Sequence, residues 1–221
     1  MEKFNLIKND KRIHKLYNDI QEYEDREKGW GYHNFDHVIN VVTWVEQLLR
    51  AFNYDDDFIE EALIAALLHD TGCIEGKKDH QFRSYEFAKK YLQENNIKLK
   101  NEQMVLDAIK LHSDGFETDN IMALVLILSD KLDIKYNRVT IEGAKIEGMR
   151  QMSYVKEAEI KIDKDILKIN YICDNELNLQ ELENYYFIPK VFKSIKSFAN
   201  KLGLSVKLTL NNKLWDAYYL S

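Results

Sequence analysis

A chain of 221 residues that is 45% apolar and 31% charged can build one main hydrophobic core with room for a small appendage, and is too hydrophobic to be intrinsically disordered. No apolar run approaches the ~18 residues that a membrane span needs. The net charge of −6, with no basic cluster interleaved with aromatics, argues against a dedicated nucleic-acid surface. A small anionic partner stays open if bound divalent metal supplies the local positive charge.

The opening residues mix charges with apolar positions at helical spacing and lack the continuous apolar stretch of a secretory signal, so a cytoplasmic protein is expected. The spacing predicts a helix over 3–25, in which His14, beside Lys11, Arg12 and Lys15, belongs on the surface. A glycine-containing break at Lys28-Gly29-Trp30-Gly31 precedes a helix over 33–52, marked by Val38, Val41, Val42, Val45, Leu48 and Leu49. Further helices are predicted over 57–70, 80–95, 101–112 and 119–135. Near Ser153 the pattern changes: residues 155–162 and 166–173 flank Asp163-Lys164-Asp165 as a β-hairpin, and Val206, Leu208 and Leu210 alternate as a third strand. Between them a helical stretch over 178–202 ends at Gly203, with Pro189 expected to kink it or split it in two. The chain therefore reads as mainly α over 1–152, followed by a small C-terminal α+β (β-β-α-β) subdomain over 153–221.

Three places carry chemistry. Leu67-Leu68-His69-Asp70 ends an apolar helix in one neutral and one anionic metal-capable group, suited to zinc, iron, manganese or magnesium. Upstream, His33 and His37 stand four residues apart at the start of a helix and so share a face. Downstream, Asp130 closes the apolar run 122–129, where a carboxylate is costly to bury unless it is paired or ligates metal. The plainer reading is that Asp130 or Asp133 emerges into water and pairs with Lys131 or Lys135. Cys73 and Cys173 form no Cys-x-x-Cys pair and read as ordinary buried or half-buried thiols.

In this order, His, then His-Asp, then Asp, the sequence resembles the HD-domain superfamily of metal-dependent phosphohydrolases over roughly residues 25–140. The resemblance implies an HD-type helical bundle and His37, His69, Asp70 and Asp130 as metal ligands. Tyr32-His33-Asn34-x-x-His37 is also similar to a stretch of the cyclic-nucleotide phosphodiesterases, which would make His33 a general acid. His80 and His112 match the extra histidines of two-metal branches, so a second ion could share Asp70. One or two divalent ions are thus expected, drawn from iron, manganese, zinc, nickel, cobalt and magnesium.

Lys77, Lys78 and Arg83, after the His69-Asp70 helix end, and Lys131 are candidates for phosphate contact, and Arg138 as well as Lys131 could approach the site from the Asp130 helix, set against solvated loop charge or ordinary ion pairing. The resemblance leaves gaps. Some members carry a lysine where Cys73 stands here, the Gly-Tyr-Pro signature of the cyclic-dinucleotide branch is missing, and Thr71-Gly72-Cys73 replaces the acidic pair of guanosine-tetraphosphate hydrolases.

The expected reaction is metal-dependent hydrolysis of a small phosphoester or phosphoanhydride, with a nucleotide favoured. A two-iron oxygenase on the same scaffold and a noncatalytic nucleotide-binding protein are the alternatives. A small phosphorylated substrate is the expected partner, with no stable nucleic acid and no membrane. An exposed edge strand in the tail keeps a homodimer open.

Overall fold

The computed structural model describes residues 1–221. The predicted first helix is two: α1 (Glu2–Lys8) and α2 (Lys11–Arg26). Asp10 causes the break, because its backbone is extended and its carboxylate accepts the Arg12 N–H at 2.8 Å, which starts a new helix. Asn34 caps α3 (Phe35–Ala51) through the His37 N–H, and Asp55 caps α4 (Asp56–Leu68) through the Phe58 N–H. A 3-10 turn over Thr71–Glu75 leads to α5 (His80–Glu94), followed by α6 (Glu102–Leu111) and α7 (Ile121–Leu132), which Asn120 caps.

Two of these helices are interior. Every residue from Ile59 to Leu68 of α4 and from Met122 to Leu132 of α7 is buried, and α3 and α6 pack against both. A helix apolar on all sides can be stable only in such a place. The two acidic residues inside α4 are satisfied locally. Glu60 binds the N-terminal ammonium, and Glu61 accepts the N–H groups of Lys100 and Asn101, serving the start of α6 that lacks a side-chain cap of its own. These interior helices end at His69-Asp70 and at Asp130, so the core itself delivers the candidate ligands to one end of the bundle.

After 3-10 turns over Tyr136–Arg138, Gly143–Lys145 and Met149–Tyr154 come β1 (Val155–Asp163) and β2 (Ile166–Cys173), an antiparallel hairpin with Ile160 opposite Ile169. Pro189 divides the predicted 178–202 helix: α8 (Leu179–Glu183) stops short of it, and α9 (Ile188–Leu202) carries it in the first turn, where a missing N–H does no harm. Then β3 (Ser205–Leu210) runs parallel to β2, and a very short β4 (Lys213–Leu214) and α10 (Asp216–Leu220) complete the chain. The last two were not predicted, being too short to show a period. The sheet order is β1-β2-β3-β4. Leu167, Ile169 and Tyr171 of β2 are buried on one face as the alternation predicts, and α9 packs against α7, so the apolar core continues from the helices into the tail. The chain is mainly helical with a small C-terminal sheet. None of its helices is long and apolar enough to cross a membrane.

Candidate metal centre

The end of α4 is held before it presents any ligand. The buried Tyr17 hydroxyl of α2 donates to the Leu67 carbonyl at 2.7 Å, and the Thr71 hydroxyl donates to Leu68 O at 2.8 Å, which satisfies carbonyls that a helix end leaves free. Gly72 then permits the close approach of α5. A Cβ there would lie 2.3 Å from His80 O, and its N–H donates to the Ser84 hydroxyl at 2.9 Å. In this way the turn after His69-Asp70 fixes the start of the helix that carries His80.

Around Asp70 the structure brings together His37, His69, Asp130, His80 and His112, all buried. Asp70 Oδ2 lies 3.3 Å from His37 Nε2 and 3.1 Å from His69 Nε2, and Asp130 Oδ1 lies 3.3 Å and 3.9 Å from the same two nitrogens. The other oxygen of Asp70, Oδ1, lies 3.2 Å from His80 Nε2 and 3.4 Å from His112 Nε2. One carboxylate thus faces two donor groups.

Each ligand imidazole is oriented from behind. Nδ1 of His69, His80 and His112 donates to the carbonyls of Ala66, Lys77 and Ile109 at 2.7–2.8 Å, and Nδ1 of His37 donates to Asp133 Oδ2 at 2.8 Å. With Nδ1 protonated, a neutral ring turns the Nε2 lone pair towards the carboxylates. Lone pairs facing carboxylate oxygens repel unless a proton or a cation lies between them.

Nε2 of His37 and of His69 and Oδ2 of Asp70 are buried without any hydrogen-bond partner, a costly arrangement that a cation relieves. Donor–metal bonds of about 2.0–2.2 Å place neighbouring donors about 3 Å apart, close to the separations here, so the residues fit a divalent ion. The local charges agree. Burial and Arg138 push His37 down, but Asp130, Asp133 and Asp70 outweigh them and lift it to about 9. Burial opposes ionisation of Asp70 and Asp130, yet the nearby His69 for Asp70 and Lys131 for Asp130 lead the effects that hold both carboxyls well below the usual range. Protons and metal therefore compete for the same donors.

His33 stands at the rim. It lines the cleft outside Asp70 and Asp130 as well as a neighbouring cavity, and it forms no part of the donor group around His37. Glu24 holds it twice, accepting the His33 backbone N–H at 2.9 Å and sharing a short hydrogen bond with Nδ1, which leaves Nε2 unbonded. Burial pushes Glu24 up to about 7 and His33 well below the ordinary imidazole range.

The candidate phosphate contacts divide. Lys77 and Lys131 line the cleft. Lys77 is exposed over much of its surface, yet burial of its ammonium, then Arg138, lowers its pKa. Lys131 donates to Asp130 Oδ2 at 2.5 Å. Arg83 lines neither space: its guanidinium binds the carbonyls of Gly72, Lys78 and Gly76 and so braces the loop. Lys78 is exposed and also lines neither space.

Two acids escaped sequence reasoning. Glu24 sits in the charged end of α2 with nothing to mark it, and Asp133, read as a surface ion-pair partner, is only 2% exposed and orients His37. The reading in which Asp130 emerges into water also falls, since it is buried against His37. His14 is exposed, as expected.

The fold and this donor set define a helical scaffold able to hold divalent metal. The chain belongs to the HD-domain family, whose model matches residues 34–167. No curated protein matches the chain. Among solved structures it is similar to a predicted HD superfamily hydrolase from an uncultured Thermotogales bacterium, at 23% identity over 56% of this chain and 67% of that one, with a TM-score of 0.43.

Proposed function

We propose that this chain hydrolyses a small phosphoester or phosphoanhydride, with a nucleotide as the favoured substrate, using divalent metal held by His37, His69, Asp70 and Asp130 and a second ion held by Asp70, His80 and His112. The observation that supports this reading is the division of Asp70, one oxygen towards each histidine group, beside a cleft carrying Lys77 and Lys131.

Metal bound there would supply hydroxide at neutral pH and offset charge on the phosphoryl oxygens. His33, braced by Glu24 at Nδ1 and free at Nε2, lines the cleft wall; burial favours its neutral ring, so it gives a proton to the departing oxygen only once the negative charge of a bound phosphate favours the imidazolium. Lys77 adds positive charge for the substrate. Lys131 neutralises the outer oxygen of Asp130.

The test is a phosphate-release screen over nucleotides and generic phosphodiesters, supplemented in turn with manganese, nickel, cobalt and iron. The wild-type chain is expected to release phosphate, His69→Ala to lose both metal and turnover, and His33→Ala to keep its metal and lose rate. Full activity in His69→Ala would overturn the reading. The same six donors would also satisfy a two-iron oxygenase. Bound iron with substrate-dependent oxygen uptake, and no phosphate release, would favour that alternative. Nucleotide binding without turnover under every metal would instead mark a noncatalytic binding protein.

A further inference from the structure

Arg138 is a buried cation near the centre with no hydrogen-bonded or ion-paired partner for its side chain in the protein. It is 7% exposed, yet its guanidinium makes no side-chain hydrogen bond and no ion pair, and Nη1 is fully enclosed without a partner. The carboxylates nearest in effect are committed elsewhere: Glu24 to the ring and backbone of His33, and Asp133 to His37 and Asn40. A guanidinium carries five N–H donors in a planar fork that matches a phosphate or carboxylate. Burying it with no acceptor is expensive, so an anionic ligand is the missing partner.

Its position says which part of a ligand it would meet. Arg138 follows the end of α7 in a 3-10 turn that is pinned to the loop before α3, its carbonyl accepting the Tyr32 N–H at 2.9 Å and Val139 bridging Gly31. There it borders two spaces at once. One is the cleft of about 290 Å³ outside Asp70 and Asp130; the other is a cavity of about 390 Å³. The second has a different character, with walls that include Trp30, Met149, Met152, Tyr185 and Tyr186. Trp30 and Tyr186 remain 45% and 60% exposed, so their rings are available to a visiting group. Flat aromatic walls and polarisable thioethers favour a planar apolar ligand, and the volume suits a small one. His33 and Lys77 also border both spaces.

We propose that Arg138 binds a phosphate oxygen of the substrate and that the Trp30–Met149–Tyr186 cavity holds a planar aromatic part of its leaving group, so that the substrate class is the phosphate esters and anhydrides of aryl or nucleoside alcohols. The proposal rests on the phosphohydrolase reading for the direction of the leaving group. It adds a subsite and an anion-binding residue outside the metal ligands.

Two phosphonates test it, because their C–P bond survives a phosphohydrolase and binding is then read apart from turnover. The manganese-loaded full chain is titrated calorimetrically with methylphosphonate and phenylphosphonate. In the wild type, phenylphosphonate is expected to bind at least ~10-fold tighter, the order expected for a buried aromatic ring. Arg138→Gln should weaken both by ~10-fold or more and preserve their ratio, with manganese content unchanged; Arg138→Lys should fall between. Tyr186→Ala, at a position 60% exposed that borders both spaces, should shrink the ratio by weakening phenylphosphonate more than methylphosphonate.

Equal binding of the two probes by the wild type would overturn the aromatic subsite, and wild-type affinity in Arg138→Gln would overturn the anion role. If Arg138→Gln fails to fold, wild-type affinity in Arg138→Lys together with an unchanged ratio in Tyr186→Ala overturns the proposal. Should the chain bind the probes as described yet release no phosphate from any ester, the hydrolytic reading fails while the Arg138 subsite stands.

Discussion

The two donor groups that share Asp70 are built from the same side chains but differ in how much they need a cation. In the inner group the Nε2 atoms of His37 and His69 and Oδ2 of Asp70 are buried and unpartnered. In the outer group His80 Nε2 and His112 Nε2 lie 2.9 Å apart, so a single proton between them, together with Asp70 Oδ1, can satisfy the set. Burial lowers the pKa of His112 to about 4 in spite of the nearby Asp70, which keeps that ring neutral and able to accept. Identical ligand types therefore do not imply equal sites. The inner group is expected to bind its ion more tightly, and the outer group to fill second.

The largest expected effect comes from breaking the inner group. His37→Ala removes a ligand of the inner group and should abolish binding of the first ion, and should reduce phosphate release by more than the ~10²–10³-fold of a single lost electrostatic donor. Metal content by mass spectrometry beside a rate measurement checks this. If His37→Ala kept a full complement of metal, the two groups would not be ordered as argued.

A smaller loss is expected on the outer side. His80→Ala should retain one ion per chain and lose about 10²-fold in rate. Loss of both ions would show that the groups assemble together.

Below that stands Asp133→Asn, which leaves every ligand in place and weakens the bracing of His37 along with the contact to Asn40. Metal affinity should drop by ~10–100-fold, confined to the first ion in a stepwise titration. An equal drop for both ions would place Asp133 in the general charge balance of the site.

The smallest effect belongs to Tyr17→Phe, which removes a buried hydrogen bond to Leu67 O and should lower stability by about 1–3 kcal/mol. Because α4 carries the shared Asp70, any accompanying loss of affinity should fall on both ions alike. Denaturant unfolding with a metal titration measures both quantities.

How far the centre could be read in the sequence follows the same division. His69-Asp70 and Asp130 were legible because each closes an apolar helix, where a polar group demands a reason. His37 was legible from its spacing to His33. The outer histidines were reached only through family resemblance, since His80 opens a polar amphipathic helix and His112 ends an ordinary one.

Partners that meet the centre only through space left no local signal. Glu24 lies in a run of similar charges and Asp133 stands three residues from a better candidate, while Arg138 reads only as able to approach from the Asp130 helix, since what sets it apart from an ion-paired arginine is its surroundings. In the fold, helix periods held where burial was one-sided or complete. The break at Asp10 was hidden because a capping aspartate in a charged segment resembles its neighbours.

Crystals of the wild-type chain grown with one equivalent of manganese, and again with excess, would test the ordering most directly through anomalous scattering. A first peak is expected among His37, His69, Asp70 and Asp130 at one equivalent, joined under excess by a second beside His80 and His112. A map empty between these side chains at both loadings, or a first peak at His80 and His112 alone, would contradict that expectation.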